Sequence, residues 1–593
     1  MPETAQAPRP ARSAVQSLAV LAQANTEETR SPTQFTTLVR HFLERFFNSE
    51  MASADGDAKT RLVQAACTMG VPGLVIALYL YTPYHLPHLV RSYWDQTGDH
   101  YFYVVYSLVA MGLLVIFEWD MLFPDLLDVF ILSSLPVREM RLFRARVSAI
   151  GILLAAALFD ANMLAVVVLP AATDPPHLFR FLAAHLVSVF MAGWYGAAFF
   201  LALEGALLAL LGDRIFRRIS LWLQGAAVVV LLASLFAYPA VAGNLHGLLA
   251  SRSRFALAFP PFWFLGIYQR IVDGPATPQV FAHLARVGIA ATTMVTALAL
   301  ASYPLAWARR TRDLVEGAVR RDRQNFTAVP VRGLLHQTLA RTPAARVIWH
   351  FITQNLLRVP RYRMVLVMYG GAGAALIFAT VMRLRVAPIG LVFSPDGLRA
   401  AVPIVAFWTV SGLRSTFLAP ADQRRRWIFR VSLGKPSLAH AQAAKRWVLT
   451  SALVLTLSAA AWTSVAHPDA HHNPQFAVGQ AVVAIALSVL LTDAFFLNVR
   501  TIPFTGAKAN AATNFALLLI PYIGFFPAIV LFTVGLEPDI EASYAHVAIA
   551  AVIACAAHLL LAHLHRREIR EHLQQIDVDD DEEDFPQRLG LRY

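Results

Sequence analysis

The chain is short of charge and almost without cysteine. Of its 593 residues only 15% are Asp, Glu, Lys or Arg, against 57% hydrophobic, and the mean hydropathy is +0.52. Soluble domains keep about a quarter of their residues charged, so a soluble fold of this size is excluded. The two cysteines, Cys67 and Cys555, both fall in apolar runs, which argues against a disulfide framework. Chemistry-bearing motifs are missing too. There is no GxxxxGK[ST] phosphate loop, no HExxH pair, no GxSxG turn and no paired-cysteine metal pattern. The chain is therefore read as a non-enzyme, with no P-loop ATPase, no metal and no cofactor of its own. His467, His471 and His472 read as a polar loop. No apolar h-region occurs in the first 30 residues, so no cleavable signal peptide is expected.

What the chain does have is long apolar runs. They lie near 64–84, 101–123, 147–170, 181–211, 221–241, 284–308, 364–382, 398–418, 447–466, 476–499, 513–534 and 544–564. Each can cross roughly 30 Å of hydrocarbon as a helix, whereas barrel strands would show short alternating segments of about ten residues. The expected fold is all-α: a polytopic helical membrane protein of about twelve spans. The net charge of +12 then records topology, not nucleic acid, and no nucleic-acid partner is expected. Lys and Arg concentrate in alternate loops, which places both termini in the cytoplasm of a multi-pass protein of the plasma (inner) membrane. Arg383, Arg385 and Arg399 break the pattern in a loop assigned outside.

The two halves resemble each other. FTTLVRHFLERFFNS spaces Phe35, Leu38, Val39, Phe42, Leu43, Phe46 and Phe47 along one helix face just before the first span. RVIWHFITQNLL repeats much of this before the seventh, with Val347, Ile348, His350, Phe351, Ile352 and Leu356 against Leu38, Val39, His41, Phe42, Leu43 and Phe47. Both read as amphipathic helices lying in the membrane interface. Pro136 and Pro436 continue the match at half the chain length, as expected of a duplicated six-span unit. The resulting division is a polar segment 1–34, a first unit 35–308, an Arg-rich linker 309–346, a second unit 347–564 and an acidic tail 565–593.

Between the second and third spans lies PDLLDVFILSSLPVREMRLFRARV, residues 124–147. Acidic Asp125 and Asp128 precede Ser133, Ser134, Leu135 and Pro136, and Arg138, Arg141 and Arg144 follow. A helix starting after the serines, with the proline in its first turn, puts the three arginines on one side and Val137, Met140, Phe143 and Val147 on another. Residues 420–448 repeat the arrangement with Arg424, Arg425, Arg426 and Arg430. Within the spans, Asp160, Glu204 and Asp493 are costly unless paired or turned to the bundle interior, which makes them candidates for a transport pathway, above all Glu204 and Asp493, which occupy similar spans of the two halves. Gly370, Gly371 and Gly373 suit close helix packing.

The Leu-Pro-Val-Arg pattern at 135–138, after an acidic approach and ahead of the third span, resembles the coupling region of permease subunits in type-2 ATP-binding-cassette (ABC) exporters. The interfacial helix at 35–47 and the aromatic segment FPPFWFLGIYQRIVDG at 259–274 stand where that group has its first interfacial helix and its outer re-entrant hairpin. Between the last two spans stands only GLEPDIEAS, too short for a second hairpin. The resemblance implies a permease of two fused units, moving an unidentified substrate by alternating access. A separate, dimeric cytosolic ATPase would hydrolyse ATP and dock on Asp125, Asp128, Arg138, Arg141, Arg144 and the 424–430 arginines. The alternative expectation is a proton-coupled secondary transporter working through Asp160, Glu204 and Asp493.

Overall fold

The computed structural model describes residues 34–47, 58–86, 91–124, 126–133, 137–251, 254–317, 342–386, 389–418, 438–467, 474–497, 503–504 and 521–573. The first half contains α1 (Gln34–Phe47), α2 (Ala58–His85), α3 (Tyr93–Phe117), the short α4 (Leu126–Ser133) and α5 (Glu139–Thr173). After these come α6 (Leu178–Asp213), α7 (Ile215–Phe236), α8 (Pro260–Asp273) and α9 (Gln279–Gly317). The second half has α10 (Pro343–Arg358), α11 (Pro360–Val381), the hairpin β1 (Met382–Val386) and β2 (Ile389–Phe393), then α12 (Pro395–Leu418). It ends with α13 (Leu438–Ala466), α14 (Pro474–Phe495), α15 (Phe526–Glu541) and α16 (Tyr544–Leu573).

Among the described residues nine helices are long and apolar enough to cross a membrane, in α3, α5, α6, α7, α9, α11, α13, α14 and α16. Of the remaining three predicted spans, two are occupied by α2 and α12, and the described part of the eleventh runs into α15. The chain is an all-α, multi-pass membrane protein. The end of the bundle bearing α1 and α10 is called the near face below, and the opposite end the far face.

Local chemistry explains the main elements. α3 starts at a reciprocal cap, in which the Ser92 hydroxyl accepts the Asp95 N–H at 3.2 Å and the Asp95 carboxylate accepts the Ser92 N–H at 3.1 Å. It then runs through the core of the first half with Tyr101, Val104, Val105, Met111 and Ile116 buried. Gly196 lets α6 approach it closely: a Cβ at 196 would stand 2.5 Å from the Leu108 carbonyl oxygen. Gly196→Val forces these two backbones apart, and a loss of about 1–3 kcal/mol is expected, read as a lower melting temperature of the purified chain. At Gly371 a Cβ would meet Val228 of α7 at 2.6 Å, so a glycine sets the contact between the two halves; Gly373 likewise abuts Trp408, whereas Gly370 touches nothing.

The amphipathic helices pack as their spacing requires. α1 buries Leu38, Phe42 and Phe46 and lies on α5, and α10 buries Ile348, Ile352 and Leu356 and lies on α13. In each half the interfacial helix thus rests on the third span, the strongest structural support for the duplication. The buried positions correspond one residue later than the sequence match proposed: Phe42 is matched by Ile352, and Phe351 is only partly buried. Elsewhere the halves differ. α2 lies along α5, whereas α11 lies along α12 and α7.

On the far face the aromatic segment forms α8, sunk against α3, α6 and α9 with Phe262, Phe264, Leu265 and Tyr268 buried. The Gln269 amide donates to His100 Nδ1 at 3.1 Å, the His100 ring stacks 4.1 Å from that of Tyr268, and Tyr268 Oη pairs with His185 Nδ1 at 3.2 Å. The second half has no equivalent between α15 and α16, which are separated by two residues. Arg383 and Arg385 sit exposed in β1, with Arg383 3.4 Å from Asp396, and Arg399 is paired with Glu541 at 3.0 Å. The breach of the charge pattern at Arg399 is therefore neutralised within the protein.

Candidate functional site

The stretch between α3 and α5 folds around one arginine. Arg146 lies in the second turn of α5 and is 2% exposed. Its Nη1 donates to Asp128 Oδ2 of α4 at 2.9 Å, and its Nη2 donates to the Phe123 carbonyl at 2.9 Å and to that of Met121. The guanidinium carbon stands 5.2 Å from the Phe42 ring of α1 and 5.9 Å from the Trp307 ring of α9. Arg45 of α1 closes on the other carboxylate oxygen of Asp128. A planar fork with several donors suits this place, because one side chain ties α1, α4, α5, α9 and the end of the second span together.

α9 grips the same loop from the other side. Tyr303 Oη donates to the Leu122 carbonyl at 2.6 Å and Arg310 Nε to that of Pro124 at 3.1 Å. Arg310 also lies 3.3 Å from Asp213, whose N–H donates to Asp313 at 3.1 Å and whose carboxylate holds Arg217. Gly212, at φ 74°, makes the tight reversal between α6 and α7 that presents Asp213 to α9. An open apolar cleft of about 220 Å³ lies between α5, α6 and α9, lined by Phe143 and by Tyr303, whose hydroxyl also holds the Leu122 carbonyl in this arginine-centred clasp.

The expected site residues fall into separate groups. Arg138, Arg141 and Arg144 are all exposed on the outside of this element, with Arg138 as N-cap of α5 and Arg141 hydrogen-bonded to Gln34. Asp128 is a correction: it is 7% exposed and turned inward onto Arg45 and Arg146, so it braces the element from within and offers no docking surface. The helix begins at Glu139, which puts Pro136 ahead of its cap and not in its first turn. Asp125, Arg424, Arg425, Arg426 and Arg430 lie outside the described residues.

The three intramembrane carboxylates occupy different packing interfaces. Asp160 is half-buried on α5 beside Gly70 of α2, and Glu204 is buried on α6 where the next residue, Gly205, abuts Ser302 of α9. Asp493, 2% exposed, is held by Lys445 Nζ of α13 at 2.7 Å and His558 Nδ1 of α16 at 2.5 Å. The closer counterpart of Asp493 is Asp213, not Glu204: each ends the fourth span of its half and pairs with the sixth, through Arg310 or His558. Sequence reasoning missed Arg146, Arg310, Asp213, Lys445 and His558 as a set, because the first four read singly as charged residues at span ends and His558 as a lone histidine within a span.

No protein-family model matches the chain, and no curated protein and no solved structure matches it.

Proposed function

We propose that the chain is the membrane-spanning permease of an ABC-type exporter, set in the plasma (inner) membrane with its near face in the cytoplasm. ATP is hydrolysed by a separate, dimeric cytosolic subunit, and the substrate passes by alternating access between the two units. The observation that carries this reading is the construction of the 124–147 element. Arg138, Arg141 and Arg144 face outward, while Arg146 and Asp128 fasten the same element to helices of the bundle behind it. An acidic partner surface pushing on the arginines would thus act on α5 and α9 together, and through Phe143 and Tyr303 on the apolar cleft. A loop that merely stayed in the cytoplasm would need the charges but not the bracing.

The test is isolation of the native complex. An ATP-hydrolysing subunit is expected to come with the chain, which alone hydrolyses no ATP. Arg138→Glu, Arg141→Glu and Arg144→Glu together should weaken that association on the order of tenfold or more, since like charges now oppose across the contact. All three side chains are exposed, so the melting temperature should barely change. Unchanged co-purification of the triple variant would refute the proposal. The proton-coupled alternative predicts instead that liposomes containing this chain alone sustain proton-driven transport, lost in Glu204→Gln and Asp493→Asn.

A further inference from the structure

A second buried charged cluster lies at the far face of the second half, well away from the clasp. Glu537 and Glu541 are four residues apart on α15, so they project from one side of the helix, and they are 0% and 6% exposed. Gln480 of α14, also 0% exposed, donates through Nε2 to Glu537 Oε2 at 3.0 Å and to Glu541 Oε1 at 3.1 Å. Arg399 of α12 bonds Glu541 Oε2 at 3.0 Å and lies 6.0 Å from the Phe476 ring, on whose face the buried His467 stacks at 4.5 Å. The second carboxylate oxygen of Glu537, Oε1, and the amide oxygen of Gln480, Oε1, are fully buried and have no hydrogen-bond partner among the described residues.

The charges do not balance. Arg399 neutralises Glu541, and Glu537 receives a single neutral amide hydrogen bond. An ionised carboxylate without a cation is costly in such a place, whereas the protonated form leaves the cluster neutral. We propose that Glu537 is a proton-binding site: in neutral medium its carboxyl holds a proton on Oε1, and in alkaline medium it releases that proton towards the far face. Glu541 is the last residue of α15, about 6 Å further along the helix at 1.5 Å per residue, and Ala542 beyond it is exposed.

Beyond the end of α15, Tyr544 and His546 of α16 are exposed.

The experiment is an infrared pH titration of the purified full chain in lipid nanodiscs, following the carbonyl band of a protonated carboxylic acid. The spectrum of the native chain minus that of Glu537→Gln is expected to hold such a band, lost as the medium is made alkaline, and Glu541→Gln should retain it. Arg399→Gln should move its midpoint upward, and this variant carries the test if Glu537→Gln fails to accumulate. A difference spectrum without that band, or a midpoint indifferent to Arg399→Gln, overturns the assignment. So does a midpoint that falls on replacing choline by sodium at constant ionic strength, which would make sodium the ligand.

Discussion

Arg146→Ala is expected to destabilise the purified chain by about 3 kcal/mol or more, seen as a marked fall in melting temperature. The reasoning weighs what remains. Breaking a buried ion pair costs about 3–5 kcal/mol because the surviving partner is left without compensation. Here the survivor, Asp128, keeps Arg45, whose side chain is 27% exposed, so the loss should sit near the lower end of that range. The carbonyls of Phe123 and Met121 lose their donor as well, and the Phe42 and Trp307 rings lose the cation between them. Arg146→Lys separates charge from shape: an ammonium can satisfy the carboxylate but cannot also reach two carbonyls in a plane. Stability should fall by roughly half as much, and under the proposed function partner-stimulated transport should fall nearly as far as in Arg146→Ala. A lysine variant that keeps full transport would show that only the charge at 146 is needed.

Asp493→Ala is the second large effect. Lys445, whose side chain is 19% exposed, is left beside a vacated carboxylate position, and His558 loses its acceptor. A loss of about 2–4 kcal/mol is expected, discounted from the fully buried case because Lys445 can reach solvent. Lys445→Met combined with Asp493→Leu should recover most of it, since replacing both charges by apolar groups removes the desolvation cost instead of exposing it. Melting curves of Lys445→Met, Asp493→Leu and the double variant form the cycle that measures the pair. Additive losses would mean that Lys445 and Asp493 do not act on each other. A strong coupling assigns Asp493 to holding α13, α14 and α16 together, which is a different task from carrying protons.

Much of the fold was legible because apolar length and helical spacing are local properties. Among the described residues each apolar run is mainly helical, and the Phe35–Phe47 spacing gives the buried stripe of Leu38, Phe42 and Phe46 directly. Gly371 and Gly373 do pack against neighbouring helices, as small residues in a span suggest. The clasp was not legible. Arg146 stands four residues after Leu142 and only two after Arg144, so helical spacing turns it away from the side of Arg138, Arg141 and Arg144, but nothing in the stretch says what it meets there. Its fate is decided by Phe42 and Trp307, more than a hundred residues away on either side. Asp128 was read as outward for the same reason. The match of Glu204 with Asp493 by position along their spans gave way to Asp213 with Asp493 because helix lengths differ between the halves: α6 has 36 residues and α14 has 22.

Arg399 and Glu541 are 142 residues apart in sequence. A ribosome releases the arginine long before the glutamate that neutralises it, so α12 must enter or wait beside the insertion channel carrying a bare cation. Completion of the second half in the bilayer is thereby tied to the synthesis of α15, and chains truncated before residue 541 should leave α12 exposed to membrane quality control.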